Sequence, residues 1–169
     1  MERVARFGLV SFNQFKNDMA KFEFSEEELK KIYDNIKLPA RATKYSAGYD
    51  FFLPFDIKLK ANESIAIPSG IRAKIDPSWV LQIYPRSGLG FKYQLSLANT
   101  VGIIDADYYN NAENEGHIII KLVNRSVDKL DINLECGKGF AQGIFMQYGI
   151  TEEDDTNDER IGGFGSTKK

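Results

Sequence analysis

The residues best suited to chemistry lie between Asn99 and Tyr108, where an amide, two carboxylates and an aromatic ring surround an apolar run. Gly102, inside this run, allows the backbone to approach a ligand or another strand closely. Asp105 follows two isoleucines, and a carboxylate beside such apolar surface can act as a general base toward a water molecule. The same residues are also compatible with a plain strand that ends in an acidic turn.

A second group with chemical potential is the run Pro85–Gly90, which follows a strong strand pattern. Arg86 offers a planar guanidinium that can grip phosphate, and Ser87 offers a hydroxyl. Gly88 and the glycine at position 90 allow backbone N–H groups to turn inward around an anion. The run predicts a phosphate-binding turn, and a tight turn with a surface arginine is the alternative.

Two further segments carry polar groups that suit a phosphorylated ligand. Gln142 stands near the start of a strand pattern, where its amide can hold a phosphate oxygen or join ordinary strand hydrogen bonding. Near the C-terminus, Arg160, Phe164, Ser166 and Thr167 lie among glycines. Such an arm can fold over a ligand and shed water, with the Phe164 ring stacked on a flat ring of the ligand. A disordered tail is the alternative, although a phenylalanine is unusual in one.

Composition narrows the classes of function. A chain of 169 residues with 43% hydrophobic and 27% charged residues is expected to form one globular domain. A net charge of −2 argues against binding duplex nucleic acid, which requires a basic face. With only Cys136 and His117, the chain has neither an internal disulfide nor a Cys/His metal cluster. No apolar run suggests a membrane span, and no signal-peptide pattern is seen, so we expect a cytoplasmic protein.

Elements around these residues are predicted to be mainly short strands. One helix is expected at Ser25–Lys37, because a capping-box pattern precedes apolar residues at helical spacing and Pro39 follows. Many short strands at turn-sized intervals predict an all-β sandwich, jelly roll or barrel. The predicted strands are 51–53, 57–59, 64–67, 71–75, 79–84, 118–123, 130–134 and 140–146, with a further short one near 7–10.

Five segments of the chain, in order, resemble the motifs of the homotrimeric deoxyuridine triphosphatase (dUTPase) family. The resemblance covers roughly residues 38–169, and five ordered motifs together make it highly specific. It divides the chain into an N-terminal extension (1–37), a β core (38–150), and a linker with a C-terminal arm (151–169). The segments are Ala47–Asp50, Pro85–Gly88, Gly102–Tyr108, Gly139–Gln142 and Gly163–Thr167.

The resemblance implies a β jelly roll, a homotrimer with shared active sites, and hydrolysis of dUTP to dUMP and pyrophosphate. In that arrangement Asp105 activates the water that attacks the α-phosphorus, and Asp50 supports the site. Mg2+ is expected to bind through substrate phosphates and water. The phosphate-binding residues would be Arg86, Ser87, Gly88, Gln142, Arg160, Ser166 and Thr167. The uracil and deoxyribose residues would be Asn99, Gly102, Ile103, Ile104, Tyr108, Ile119, Phe164 and Gly165.

The chain departs from the family pattern at several places. An insertion at Tyr109–Glu115 is expected at an exposed hairpin tip, and Gly139 stands where many members carry an arginine. Arg160 lies one residue closer to Phe164 than is usual, and the N-terminal extension exceeds what the core requires. Two other functions remain open: a nucleotide-gated regulatory protein on the same scaffold, and dCTP deaminase, whose motif differs after the Ile-Asp pair.

Overall fold

The structure is a computed structural model that describes residues 2–158, 160 and 162. Short strands and turns predominate, with three helices in the described part. The helices are α1 (Phe12–Asp18), α2 (Glu26–Asp34) and α3 (Ser87–Tyr93). The strands are β1 (Ala5–Leu9), β2 (Ala40–Arg41), β3 (Tyr49–Phe52), β4 (Ile57–Leu59), β5 (Ser64–Pro68), β6 (Ile71–Ile75), β7 (Trp79–Pro85), β8 (Leu95–Leu97), β9 (Gly102–Ile104), β10 (Ile119–Asn124), β11 (Ile132–Leu134) and β12 (Gly139–Gln147).

The strands pair antiparallel in four small sheets. The largest has the order β2-β3-β12-β7-β9, and a second has the order β5-β10-β8. Two further pairs join β1 to β6 and β11 to β4. Non-consecutive neighbours in each sheet are typical of jelly-roll connections. The predicted all-β jelly-roll class is confirmed.

Alternating side chains build the core between these sheets. In β6 the residues Ile71, Ala73 and Ile75 are buried while those between them point outward, as the period of two in a strand requires. Phe51 of β3 and Phe140 of β12 fill the centre. The pairing of β12 with β3 shifts register between Gly139 and Ala141, a bulge that accompanies the burial of Phe140.

The helix predicted at Ser25–Lys37 forms, but it ends earlier. Ser25 is its N-cap, and the Ser25–Glu28 capping box is complete. The helix stops at Asp34 because Asn35 bonds back to it through both its backbone and its side-chain amide. The sequence prediction of a single helix was incomplete, since α1 and α3 are one-turn to two-turn helices too short to show a clear apolar period.

The N-terminal extension is part of the folded body. Its strand β1 pairs with β6 over five residues. In and just after α1, Phe15 and Met19 are completely buried, whereas only Leu29 of α2 is buried. The predicted helix α2 therefore lies toward the outside of the folded body, while α1 lies deeper. Among the described residues no helix has both the length and the apolar character needed to cross a membrane.

Candidate active site

An apolar groove of about 470 Å3 lies between the sheet ending in β9 and the sheet containing β10. It is formed mainly by aliphatic side chains, with Asn99 as the amide at its edge. Gly102 pairs with Ile83 of β7, and a Cβ on this glycine would lie 3.2 Å from the Ile83 Cβ, so the close strand approach favours glycine. The lining residues are Lys21, Ala66, Ile83, Leu97, Ala98, Asn99, Gly102, Ile103, Ile104, Ile118, Ile119, Ile120 and Lys121.

Several residues that were predicted to bind uracil and deoxyribose lie together in this groove. Asn99, Gly102, Ile103, Ile104 and Ile119 all line it, as a uracil site would require. Sequence reasoning missed Lys21 and Lys121, because nothing in the local pattern shows that the N-terminal segment reaches the groove. A larger groove of about 820 Å3 near the N-terminus includes none of the residues predicted to bind nucleotide.

Asp105 follows β9 directly and begins a 3-10 turn over Ala106–Tyr108. Its carboxylate accepts a hydrogen bond of 2.6 Å from the Arg160 guanidinium, and Asp107 accepts another of 2.8 Å from the same side chain. The Asp105 side chain is 48% exposed in this single chain. The dry setting suggested by the neighbouring isoleucines is therefore wrong for this single chain, because Asp105 lies past the end of the strand.

Tyr108 is buried, and its hydroxyl is held on both sides. The hydroxyl donates to the His117 carbonyl at 2.9 Å and accepts from the Asn114 side-chain amide at 2.8 Å. Burial raises the pKa of the Tyr108 phenol, which keeps it protonated as a donor. The Arg160 guanidinium carbon lies 5.8 Å from the centre of the ring. Tyr108 therefore lies beside the Asp105–Arg160 pair, next to the groove rather than among its lining residues.

A second polar cluster lies where β3, β12 and β7 meet. The Arg86 Nε approaches Asp50 Oδ1 at 3.3 Å, and Arg86 Nη1 donates to the Gly139 carbonyl at 3.5 Å. Gln142 faces Asp50 across the β12–β3 pair and donates to the Pro85 carbonyl at 3.5 Å. These distances are long, so Arg86 and Gln142 are held loosely and can turn toward an anion. The fold thus brings Asp50, Arg86 and Gln142 close to one another.

Two glycines keep space for these side chains. A Cβ at Gly139 would lie 2.7 Å from Arg86 Nη1, and a Cβ at Gly48 would lie 2.8 Å from Gln142 Oε1. Because no backbone is involved, larger residues would displace Arg86 or Gln142 rather than break the sheet. The glycine at position 139 thus leaves room for Arg86 in its present position.

The turn predicted after Arg86 is not a loop in the structure. Ser87 and Gly88 instead open α3, with Arg86 as an extended N-cap that provides no side-chain cap. Although glycine disfavours helix by about 1 kcal/mol, Leu89 and Tyr93 pack against the core and compensate. The first N–H groups of a helix lack intrahelical partners, so Ser87 and Gly88 still present donors beside Arg86.

Asp105 and the Arg86 cluster lie toward opposite ends of β7. Ile104, the residue before Asp105, pairs with Leu81. Arg86 comes five residues further along, a separation of roughly 16 Å at about 3.3 Å per extended residue. Since Asp105 continues away from that end, one chain does not bring its carboxylate and the Arg86 cluster around a single phosphate group.

The insertion at Tyr109–Glu115 does not form the exposed tip that was expected. Asn111 within it is buried and donates to the Tyr108 carbonyl at 2.9 Å. At its end Glu115 accepts hydrogen bonds from Ser11, at 2.8 Å from the backbone and 2.6 Å from the hydroxyl. The insertion is therefore fastened to the start of α1, a contact between sequence-distant segments that no local pattern signals.

Several predicted site residues cannot be placed. Phe164, Gly165, Ser166 and Thr167 lie outside the described residues. In the part of the chain that the structure describes, no three His, Cys, Asp or Glu side chains come together closely enough to hold a metal ion.

A jelly-roll framework with a carboxylate next to an apolar, amide-edged groove is an arrangement that suits an enzyme acting on a nucleotide. The particular family follows from comparison with known proteins. The chain belongs to the dUTPase family, whose model matches residues 34–168.

Similar proteins support the assignment. The chain is 39% identical over 134 residues to the deoxyuridine 5′-triphosphate nucleotidohydrolase of Lactococcus lactis, which covers 78% of this chain and 88% of that protein. It is 36% identical to the Nautilia profundicola protein of the same name, over 84% of this chain and 98% of that one.

Solved structures show the same fold. The dUTPase from Streptococcus mutans superposes with a TM-score of 0.65 at 32% identity, covering 86% of this chain and 98% of that one. A dUTPase from phage phi11 of Staphylococcus aureus gives 0.65 at 18% identity, covering 92% and 97%, and at that identity shows likeness of fold alone.

Proposed function

We propose that this member of the dUTPase family hydrolyses dUTP to dUMP and pyrophosphate, with Asp105 as general base for the attacking water. The observation that carries the proposal is the position of Asp105, directly after the strand that lines the apolar groove. A base lying in that groove would set its sugar and α-phosphate near this carboxylate. General-base assistance of this kind typically contributes about 10²- to 10⁴-fold.

Uracil recognition is assigned to the groove. Asn99 and the backbone of β9, which is close-packed through Gly102, would pair with the uracil edge, and Ile119 would add its backbone from β10. Cytosine presents the opposite pattern of donors and acceptors, so it would leave polar groups unpaired. Tyr108, fixed at its hydroxyl, would pack under the deoxyribose and exclude a 2′-hydroxyl.

Arg160 is proposed to exchange partners when nucleotide binds. Its guanidinium is paired with Asp105 and Asp107 and its side chain is only 15% exposed. Phosphate oxygens offer the same planar two-point partner as carboxylates. Transfer of Arg160 to the triphosphate would free Asp105 to take a proton from water. The residues after Arg160 are then proposed to cover the base and phosphates, and these are Phe164, Gly165, Ser166 and Thr167.

Phosphate binding requires a second copy of the chain. Arg86, Ser87, Gly88 and Gln142, with Asp50 behind Arg86, lie roughly 16 Å along β7 from the Asp105 end. A homotrimer in which one subunit supplies this cluster to a neighbour's Asp105 resolves the separation. Large apolar side chains that such contacts would cover include Phe91, 92% exposed in α3 beside the cluster, and Ile150 beyond β12.

Mg2+ is proposed to accompany the nucleotide, bound through phosphate oxygens and water, as suits an ion that keeps several waters. Asp105 and Asp107, both held by Arg160, fit such water-mediated contact better than a dedicated cage. The ion would neutralise negative charge on the phosphates. A cytoplasmic place of action is part of the proposal.

The test is release of pyrophosphate from dUTP, dTTP, dCTP and UTP with Mg2+. We expect only dUTP to be turned over efficiently. Absence of dUTP turnover would overturn the proposal in favour of a nucleotide-gated regulatory protein if dUTP still binds. Conversion of dCTP to a uracil nucleotide would instead favour a deaminase.

A further inference from the structure

The N-terminal segment, which lies before the residues matched by the family model, reaches the nucleoside side of the candidate site. Lys21 lines the groove itself. Asp18, at the end of α1, contacts His117 at 2.5 Å through its Oδ2. Ser11, the N-cap of α1, holds Glu115. The segment therefore touches both the groove and the chain that follows Tyr108.

His117 links this segment to the groove. It is completely buried, and its Nε2 accepts a hydrogen bond of 2.7 Å from the Gly70 N–H. Since Nε2 is the acceptor, Nδ1 carries the ring proton and donates it to Asp18. The imidazole is thereby fixed on both sides, and the backbone around it is fixed as well.

Tyr108 depends on that backbone. Its hydroxyl donates to the His117 carbonyl, and the two residues after His117 belong to the groove lining. Gly116, just before His117, has a φ of +79° and passes so close to Tyr108 that a Cβ would lie 2.6 Å from the Tyr108 carbonyl oxygen. A shift of His117 would move the Tyr108 ring and the groove wall together.

We propose that Asp18 is a positioning residue for nucleotide selection: through His117 it holds Tyr108 at the distance that admits deoxyribose and excludes ribose. The inference rests on the proposed function of Tyr108 at the sugar. Asp18 touches neither substrate nor water in this scheme. It also accepts a hydrogen bond of 2.8 Å from Gln14, so its carboxylate is itself oriented from within α1.

The experiment compares kcat/KM for dUTP and UTP in the full chain and in Asp18→Ala. Displacements of about 1 Å can alter rates by up to 10²-fold, so we expect the dUTP-to-UTP ratio to fall about tenfold. Asp18→Asn, which retains an acceptor for Nδ1–H, should recover most of the ratio. Asp34→Ala is the matched control, because that exposed carboxylate pairs with Lys30 on α2, away from the site; it should leave the ratio unchanged.

A double-mutant cycle with Tyr108→Phe separates positioning from general loss of structure. If Asp18 acts through Tyr108, the two substitutions will be non-additive in the dUTP-to-UTP ratio. A folded Asp18→Ala protein with the ratio of the unmodified chain would overturn the inference, as would full additivity. If Asp18→Ala does not fold, the same cycle is run with Asp18→Ser, whose hydroxyl is too short to reach His117 Nδ1, and additivity again overturns the inference. Failure of the unmodified chain to hydrolyse dUTP would instead reject the proposed function.

Discussion

The nucleoside groove and the Arg86 cluster both adjoin β7, yet they are built in different ways. The groove has paired strands and aliphatic walls, and the Tyr108 hydroxyl beside it is held at 2.8 and 2.9 Å. The Arg86 cluster has contacts of 3.3 to 3.5 Å, and the Arg86 side chain is 43% exposed. The groove is shaped before ligand arrives, whereas the Arg86 cluster keeps freedom to adapt to charge. In the proposed function, shape therefore selects the base and sugar, and charge binds the phosphates.

The largest effect is expected for Asp105→Asn. The amide keeps the shape of the side chain but cannot take a proton from water, so turnover should fall by about 10³-fold. Affinity for a non-hydrolysable dUTP analogue, measured by calorimetry, should change little. Unchanged turnover would remove Asp105 from the mechanism and would leave the groove with a role in nucleoside binding alone.

Arg86→Ala is expected to lower kcat/KM about 10²-fold through lost phosphate stabilisation. Arg86→Lys should recover only part of this, because an ammonium lacks the planar two-point geometry of guanidinium. Steady-state pyrophosphate release measures both. Full activity of the lysine variant would show that charge without geometry is sufficient at this end of β7.

Mixing the two defective subunits tests whether the ends of β7 serve different active sites. When Asp105→Asn and Arg86→Ala chains are co-expressed in equal amounts, random assembly gives intact pairs at about a quarter of the shared sites. Activity should therefore return to roughly a quarter of the unmodified level. Activity equal to the mean of the two separate variants would mean that each subunit contains its whole site.

The smallest effect is expected for the pH dependence of folding stability in acid. Hydrogen bonds from His117 and Gln14 outweigh burial and hold the pKa of Asp18 below its ordinary value, and Ser11 with Arg72 does the same for Glu115. The unfolded chain therefore binds more protons as pH falls through about 4, and this stabilisation is present above that pH and is lost below it. Urea unfolding from pH 6 to pH 3 should show a shallower pH dependence in Asp18→Asn than in the unmodified chain. Equal slopes would contradict the lowered pKa of Asp18 in the folded chain.

The sequence predicted the repeating parts of the molecule well. Strands with alternating apolar residues, such as β6, and the capped start of α2 depend on local patterns, so they were located correctly. The groove residues Asn99, Gly102 and Ile119 were grouped through the resemblance to the dUTPase family. The binding roles of residues 164–167 stay predictions, because these residues lie outside the described part of the chain.

Features created by distant contacts were not predictable. Asp18 and His117 are 99 residues apart, and Ser11 and Glu115 are 104 apart. Neither pair has a local signature, because its two residues meet only when α1 packs on the chain after Tyr108. The helix at Ser87–Tyr93 was missed for a related reason, since core packing of Leu89 and Tyr93 overrides two glycines.

Arg160 also changes the electric field that an arriving nucleotide meets. A triphosphate carries several negative charges, and two bare carboxylates at Asp105 and Asp107 would repel it and slow association. With the guanidinium within 2.8 Å of both, the charge of this group falls from −2 to −1. Long-range repulsion is correspondingly weaker and less sensitive to salt. The same side chain thus lowers the barrier to encounter before it takes any part in holding phosphate.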